Sequence, residues 1–181
     1  MKVTLETERL ELRPVSEDDA GEVYEGWTSD PEVTKYVTWN THESIDDTKA
    51  FLRFCVEEYK KPEKLCFGIV KKDEHRLIGM IDVVGIVKRE DGKSVPVIGY
   101  VLSRKYWNRG FMTEACRCVT DFLFSKGYPE VFIDAVRENT GSNRVIQKCG
   151  GVYLRTDEDF FPKKGCSFFV NRYSIKNPKI G

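Results

Sequence analysis

The sequence has only two histidines, His42 and His75, and none of its six cysteines falls into a C-x-x-C pair. A structural zinc site needs a full set of nitrogen and sulfur ligands at short, regular spacings, so no metal is expected. Cys116 and Cys118 leave a helix in different directions, and the thiols Cys55, Cys66, Cys116, Cys118, Cys149 and Cys166 read as free and buried. No run approaches the roughly 20 apolar residues that cross a bilayer. The start, Met1-Lys2-Val3-Thr4-Leu5-Glu6, turns charged too early for a secretion signal, so a cytoplasmic protein is expected.

Net charge is also missing: 29 Lys plus Arg stand against 29 Asp plus Glu. Such a balance offers no basic field to gather phosphate backbones or anionic lipid, and neither nucleic acid nor membrane is expected as a partner. The two common phosphate signatures, G-x-x-x-x-G-K and G-x-G-x-x-G, are lacking. There are no repeats and no low-complexity segments. At 181 residues the chain supports one sizeable core, which predicts a single domain over 1–181, as a monomer or a homodimer.

What is present alternates between two periods. Leu10-Glu11-Leu12-Arg13 has the period of a half-buried strand, closed by Pro14. Ser16 with Asp19, and again Ser44 with Asp47, form capping pairs that predict two helices, the first carrying Ala20, Val23 and Trp27 on one face and broken at Asp30-Pro31. The second carries Ile45, Leu52, Cys55, Val56 and Tyr59 and ends in Lys60 to Lys64, around Pro62. Strand patterns then follow over 67–71, 77–87 and 95–103, with a polar turn at Glu90-Asp91-Gly92-Lys93. A helix after Gly110, a strand over 131–136, a helix from Ser142 to Cys149 and closing strands over 152–155 and 167–175 complete the chain. A charged loop from Thr156 to Lys164 is expected between the last two. The order predicts an α+β domain around one mostly antiparallel central sheet flanked by helices.

The stretch with most chemistry in it runs from Tyr100 to Ala115, a strand feeding a tight turn that feeds a helix. A helix start exposes unpaired N–H groups and a partial positive charge, which suits a pyrophosphate. Gly110 lets the backbone approach such a ligand.

Within it, Tyr106-Trp107-Asn108-Arg109-Gly110-Phe111-Met112-Thr113-Glu114-Ala115 resembles the acetyl-CoA pyrophosphate loop of the GNAT acetyltransferases, most closely the ribosomal-protein (RimJ/RimL) branch. Two further segments share the resemblance: Glu6 to Pro14 is similar to that branch's opening strand, and Asn139 to Gly150 to its N-x-x-S helix. The resemblance implies a GNAT-like sheet with a strand splay that takes up CoA, and an acyltransferase that moves the acetyl group of acetyl-CoA to a primary amine, either a protein N-terminus or a small molecule. It implies that Asn108, Arg109, Gly110, Phe111, Met112 and Thr113 hold the pyrophosphate, and that Val101, Leu102 and Ser103 pair with the pantetheine arm like an added strand. Asn139 would contact the pantetheine or the acceptor, with Ser142 and Asn143 near the sulfur end. Read without the resemblance, Asn139 is a turn residue and Ser142 a helix N-cap.

The chain departs from the family pattern at several positions. Trp107 stands where many members have Gln or Arg, and Met112 where they have a small residue. Ile146 replaces a frequent tyrosine acid, Gly151 an aromatic, and Val97 the glutamate of this branch. Ser142 or a bound water is then the expected proton donor to the thiolate. Asp82 is the expected base acting through a water, its alternative being a solvent-facing strand carboxylate. Asp157, Glu158 and Asp159 are expected to border the acceptor pocket or to form a solvated charge run. The helices from Ser16 to Tyr59, with Tyr36, Trp39 and Asn40, are expected to recognise the acceptor, although Trp27 reads as core. The competing reading is a non-catalytic acyl-CoA-binding regulatory module that keeps the loop and has lost turnover.

Overall fold

A computed structural model describes residues 3–61 and 64–180. Pro62, the expected end of the second helix, lies outside the described residues.

The alternation at Leu10 and Leu12 buries both leucines on one face of β2 (Leu10–Pro14), and a short β1 (Leu5–Glu6) folds back on it. The first expected helix is divided. Glu17–Asp19 is a 3-10 turn, Ala20–Val23 is α1, and Tyr24–Thr28 widens into a π turn that carries Trp27 fully into the core. Asp30-Pro31 both ends this winding and starts the next. The Asp30 carboxylate accepts from Glu32 N–H at 3.0 Å, and Pro31, which has no N–H to leave unpaired, opens α2 (Pro31–Thr34). Ser44 and Asp47 cap α3 (Ile45–Glu58) reciprocally, at 3.3 Å and 2.9 Å.

Then come β3 (Cys66–Lys71), β4 (Arg76–Lys88), β5 (Ser94–Leu102), α4 (Phe111–Ser125), β6 (Glu130–Val136), α5 (Thr140–Lys148), β7 (Val152–Phe161) and β8 (Cys166–Lys176). They form one sheet in the order β1-β2-β3-β4-β5-β6-β8-β7. Two expectations need correction here. The acids Asp157, Glu158 and Asp159 belong to β7 itself, which runs to Phe161, because Arg172 of β8 neutralises two of them across the ladder. Among the thiols, Cys166 is exposed and Cys118 and Cys149 are half-buried.

Helices α4 and α5 cover one face of the sheet over Ile78, Ile81, Ile98, Ile133 and Ile146. Helices α1 to α3 cover the other over Trp27, Leu52, Cys55 and Met80. Among the described residues every neighbouring pair of strands is antiparallel except β5 and β6, which are parallel and are paired in the ladder only at Val97↔Phe132 and Ile98↔Ile133. Beyond Ile98, β5 continues to Leu102 paired with β4 alone, and β6 continues to Val136 paired with β8 alone. The two strands therefore part, and a gap opens in the middle of the sheet.

Candidate active site

The gap widens into a cavity of about 1090 Å³ walled by β4, β5, β6, the start of α4 and the start of α5. On the β5 side, the Ser103 N–H donates to the Ile78 carbonyl at 2.8 Å. Antiparallel alternation then directs the backbone of Val101 and Gly99 toward β4 and that of Tyr100 and Leu102 into the gap. The Leu102 carbonyl accepts from the Trp107 indole N–H at 2.8 Å, which ties the turn to the strand. Val101 and Leu102 line the cavity, whereas Ser103 is buried outside its lining.

The turn that follows enters α4 through two left-handed residues, Asn108 (φ 60°) and Gly110 (φ 81°). A Cβ at Gly110 would lie 3.5 Å from Arg9 Nη2, an ordinary contact, so glycine is selected here by conformation rather than by space. The first helical bond runs from Glu114 N–H to Gly110 C=O at 3.0 Å. The amides from Gly110 to Thr113 precede that ladder, and the residues that carry them line the cavity, where such amides suit an anion. Asn108, Gly110, Phe111, Met112 and Thr113 line it, while Arg109 is exposed outside the lining. Met112 is accommodated because its side chain is buried in the core.

Arg9 fixes this turn from outside. Its Nη1 donates to the Arg109 carbonyl at 3.2 Å, its Nε donates to Glu114 at 2.7 Å, and its guanidinium lies 4.3 Å above the Phe111 ring. Thr7 Oγ1 adds a 2.6 Å bond to the same Glu114 carboxylate, which these partners hold below the usual carboxylate range in spite of its burial.

At α5 the N-cap is Asn139, whose side-chain oxygen accepts from Ser142 N–H at 3.1 Å. Helix α5 therefore starts at Thr140 rather than at Ser142, and the Ser142 hydroxyl is released from capping. It sits 2.9 Å from the Tyr100 hydroxyl. Ser142 and Asn139 both line the cavity. Asn143 does not: its amide nitrogen donates to the Val136 and Asn139 carbonyls, and its oxygen accepts from Asn171 and Tyr173. Asn143 joins α5 to β6 and β8 and has no capacity left over for a cofactor.

Asp82 stands on the opposite face of the sheet, across from Gly99. Burial pushes its carboxyl up to about 7, with Lys64 pulling partly back. This is a carboxylate poised to exchange a proton near neutrality, unlike an ordinary surface aspartate. Around it the cavity is lined by Tyr36, Trp39, Phe51, Tyr59 and Val97. Trp39 stacks on Phe51 with ring centroids 6.1 Å apart. Asp134 and Asp159 border the same end, both ion-paired with Arg172, at 2.7 Å and 2.6 Å. Ile146 is fully buried, and Gly151 lies against it so closely that a Cβ would come within 2.4 Å of Ile146 Cγ2.

Sequence reasoning missed Tyr100 as a neighbour of Ser142, Arg9 and Glu114 as the clamp on the turn, and Arg172. Only the opening strand's likeness to the family hinted at Arg9. The cavity thus joins a helix start with amides outside the helical ladder, a strand edge, a serine hydroxyl hydrogen-bonded to a tyrosine and a carboxyl of raised pKa.

Comparison with known proteins agrees with this geometry. Residues 9–152 match the model of the acetyltransferase (GNAT) domain. The chain is 31% identical over 95% of both chains to the uncharacterised N-acetyltransferase p20 of Bacillus licheniformis. Its fold is similar to a GNAT-family acetyltransferase from Bacillus anthracis (TM-score 0.78, 25% identity, 96% of this chain and 98% of that one). It is also similar to a putative ribosomal-protein-serine acetyltransferase from Vibrio cholerae (TM-score 0.83, 20% identity, 97% and 98%). The chain belongs to the GNAT acetyltransferase family, whose acetyl donor is acetyl-CoA.

Proposed function

We propose that the protein transfers the acetyl group of acetyl-CoA directly to a primary amine, with donor and acceptor held together on the two sides of the strand gap. The observation that carries this reading is that one cavity is lined both by the start of α4 and, through the gap, by Asp82. The pyrophosphate rests on the amides of Gly110 to Thr113, and the pantetheine arm extends β5 along the Tyr100 and Leu102 backbone. Arg144 and Lys148, one turn apart on α5, line the donor end and suit its remaining phosphate.

An amine attacks a thioester only when neutral. An α-amino group, with a pKa near about 7.7 to 8.0, is already partly neutral at pH 7, whereas a lysine at about 10.4 is not. Asp82 accepts the proton, directly or through water, and Ser142 Oγ supplies one to the departing sulfur. An α-amine, on a protein N-terminus or a small molecule, is the acceptor class that asks least of this base. The reading places the protein in the RimJ/RimL-like group, working in the cytoplasm.

Release of CoA thiol with a panel of α-amino peptides, small amines and lysine-only peptides tests it. Turnover with α-amines is expected. Tight acetyl-CoA binding by calorimetry with no turnover across the panel would instead favour a non-catalytic acyl-CoA module, which Val97 and Ile146 would also suit. An acetylated Cys149 trapped by mass spectrometry without acceptor would overturn direct transfer.

A further inference from the structure

The Tyr100 hydroxyl lies 2.9 Å from Ser142 Oγ and 3.3 Å from the Ser142 carbonyl oxygen. It reaches them from β5, the strand whose backbone faces the gap, while Ser142 sits in the first turn of α5. The Asn139 side chain takes the Ser142 N–H, so no capping role competes for the Ser142 hydroxyl. Tyr100 and Ser142 both line the cavity, on the face of the sheet away from Asp82.

We propose that Tyr100 is a positioning residue that orients Ser142 and relays a proton through it to the departing sulfur. This inference rests on the reading of Ser142 as the proton donor. A lone serine is a poor acid, because losing its proton leaves an alkoxide, comparable in basicity to hydroxide from water at about 15.7. A phenol, ordinarily about 10, is the stronger acid of the two; burial pushes the Tyr100 hydroxyl above that ordinary value and narrows the difference.

In the relay, the tetrahedral adduct collapses and the carbon–sulfur bond breaks. Sulfur takes the Ser142 Oγ proton as Ser142 takes the Tyr100 proton, and the negative charge comes to rest on the phenolate. The nitrogen of the new amide sheds its proton through Asp82 to solvent, and the phenolate regains one from solvent. The sum is one amine and one thioester consumed, one amide and one thiol formed, with no net proton. Burial disfavours the phenolate, so it does not persist and the hydroxyl is protonated again before the next turnover. No oxidant or additional reactant is needed.

The test combines variants with a measurement on the unaltered protein. Tyr100→Phe keeps the ring and removes the donor; kcat is expected to fall about 10- to 100-fold with KM for acetyl-CoA unchanged. Ser142→Ala should lose at least as much, and the double variant no more than Ser142→Ala alone, because both act on one proton path. Full activity in Tyr100→Phe, or losses that multiply in the double variant, would overturn the relay. If Ser142→Ala is itself fully active, the donor role of Ser142 falls first. If Ser142→Ala is slow and Tyr100→Phe is not, only the relay falls. In single-turnover acetyl transfer by the unaltered protein, rate against deuterium content should bow downward for two protons in flight. A straight line would refute the relay even if the variants fail to fold.

Discussion

Arg9 and Glu114, far apart in sequence, meet in a 2.6 Å ion pair that fastens the opening strand to the first turn of α4. The pair sits directly behind the turn proposed to receive the pyrophosphate, and the same guanidinium holds the Arg109 carbonyl. Arg9→Ala should therefore loosen the turn without touching the reacting atoms. A loss of roughly 1 to 2 kcal/mol is expected, because the pair is only partly exposed and shares its carboxylate with Thr7. Calorimetry should read this as on the order of a tenfold weaker acetyl-CoA affinity, with kcat at saturating donor nearly intact.

The left-handed Gly110 gives a prediction that separates conformation from crowding. Alanine there pays for the positive φ, about 1 to 2 kcal/mol, whereas asparagine adopts it more readily. Gly110→Ala should lower both the melting temperature and donor affinity, and Gly110→Asn should recover part of each. Equal losses would mean that bulk near the phosphates is the governing factor.

Asp82 fixes a pH dependence. With its carboxyl raised to about 7 by burial, the proton-accepting form grows as pH rises through neutrality, and the rate should rise with it. Asp82→Asn is expected to lower kcat by about 10²-fold or more and to erase the inflection near pH 7, leaving only the titration of the acceptor amine. Stability should move the other way. The folded pKa exceeds the unfolded one, about 3.9, so ionising the carboxyl costs stability as pH rises from about 4 to 7, and the cost is constant above that. The asparagine variant should therefore melt higher at pH 8, with the difference shrinking toward pH 4.

Gly151 carries a purely structural prediction. A Cβ would approach the Ile146 side chain to 2.4 Å and the Ile146 carbonyl oxygen to 2.9 Å, and the backbone atom has little room to yield. Gly151→Ala should cost about 1 to 3 kcal/mol, read as a drop of several degrees in thermal melting. The KM for acetyl-CoA should change little.

The parts of the site that sequence revealed are those written in consecutive residues. The turn from Trp107 to Thr113 and the helix start after it are local, so spacing and family likeness suffice to find them. Ser142 and Asn139 are both good capping residues, and nothing local decides between them; only the path of the chain makes Asn139 the cap and frees Ser142. The acids at 157–159 resemble a solvated loop because their partner, Arg172, arrives on the next strand, 15 residues after Asp157. Tyr100 and Ser142 are 42 residues apart, and no periodicity in either segment points to the other. Asp82 was legible as a strand carboxylate, but its raised pKa comes from packing contributed by several elements at once.

The sheet is joined across its middle by two residue pairs alone. In its backbone pairing it is two smaller sheets, and an acetyl donor laid along the open edge, as proposed, would act as the missing rungs between them. A ligand that binds only the folded chain adds RT ln(1 + [L]/Kd) to its stability. The protein's resistance to proteolysis should therefore follow the supply of its own co-substrate, so that a well-fed cell keeps more of the enzyme than a starved one.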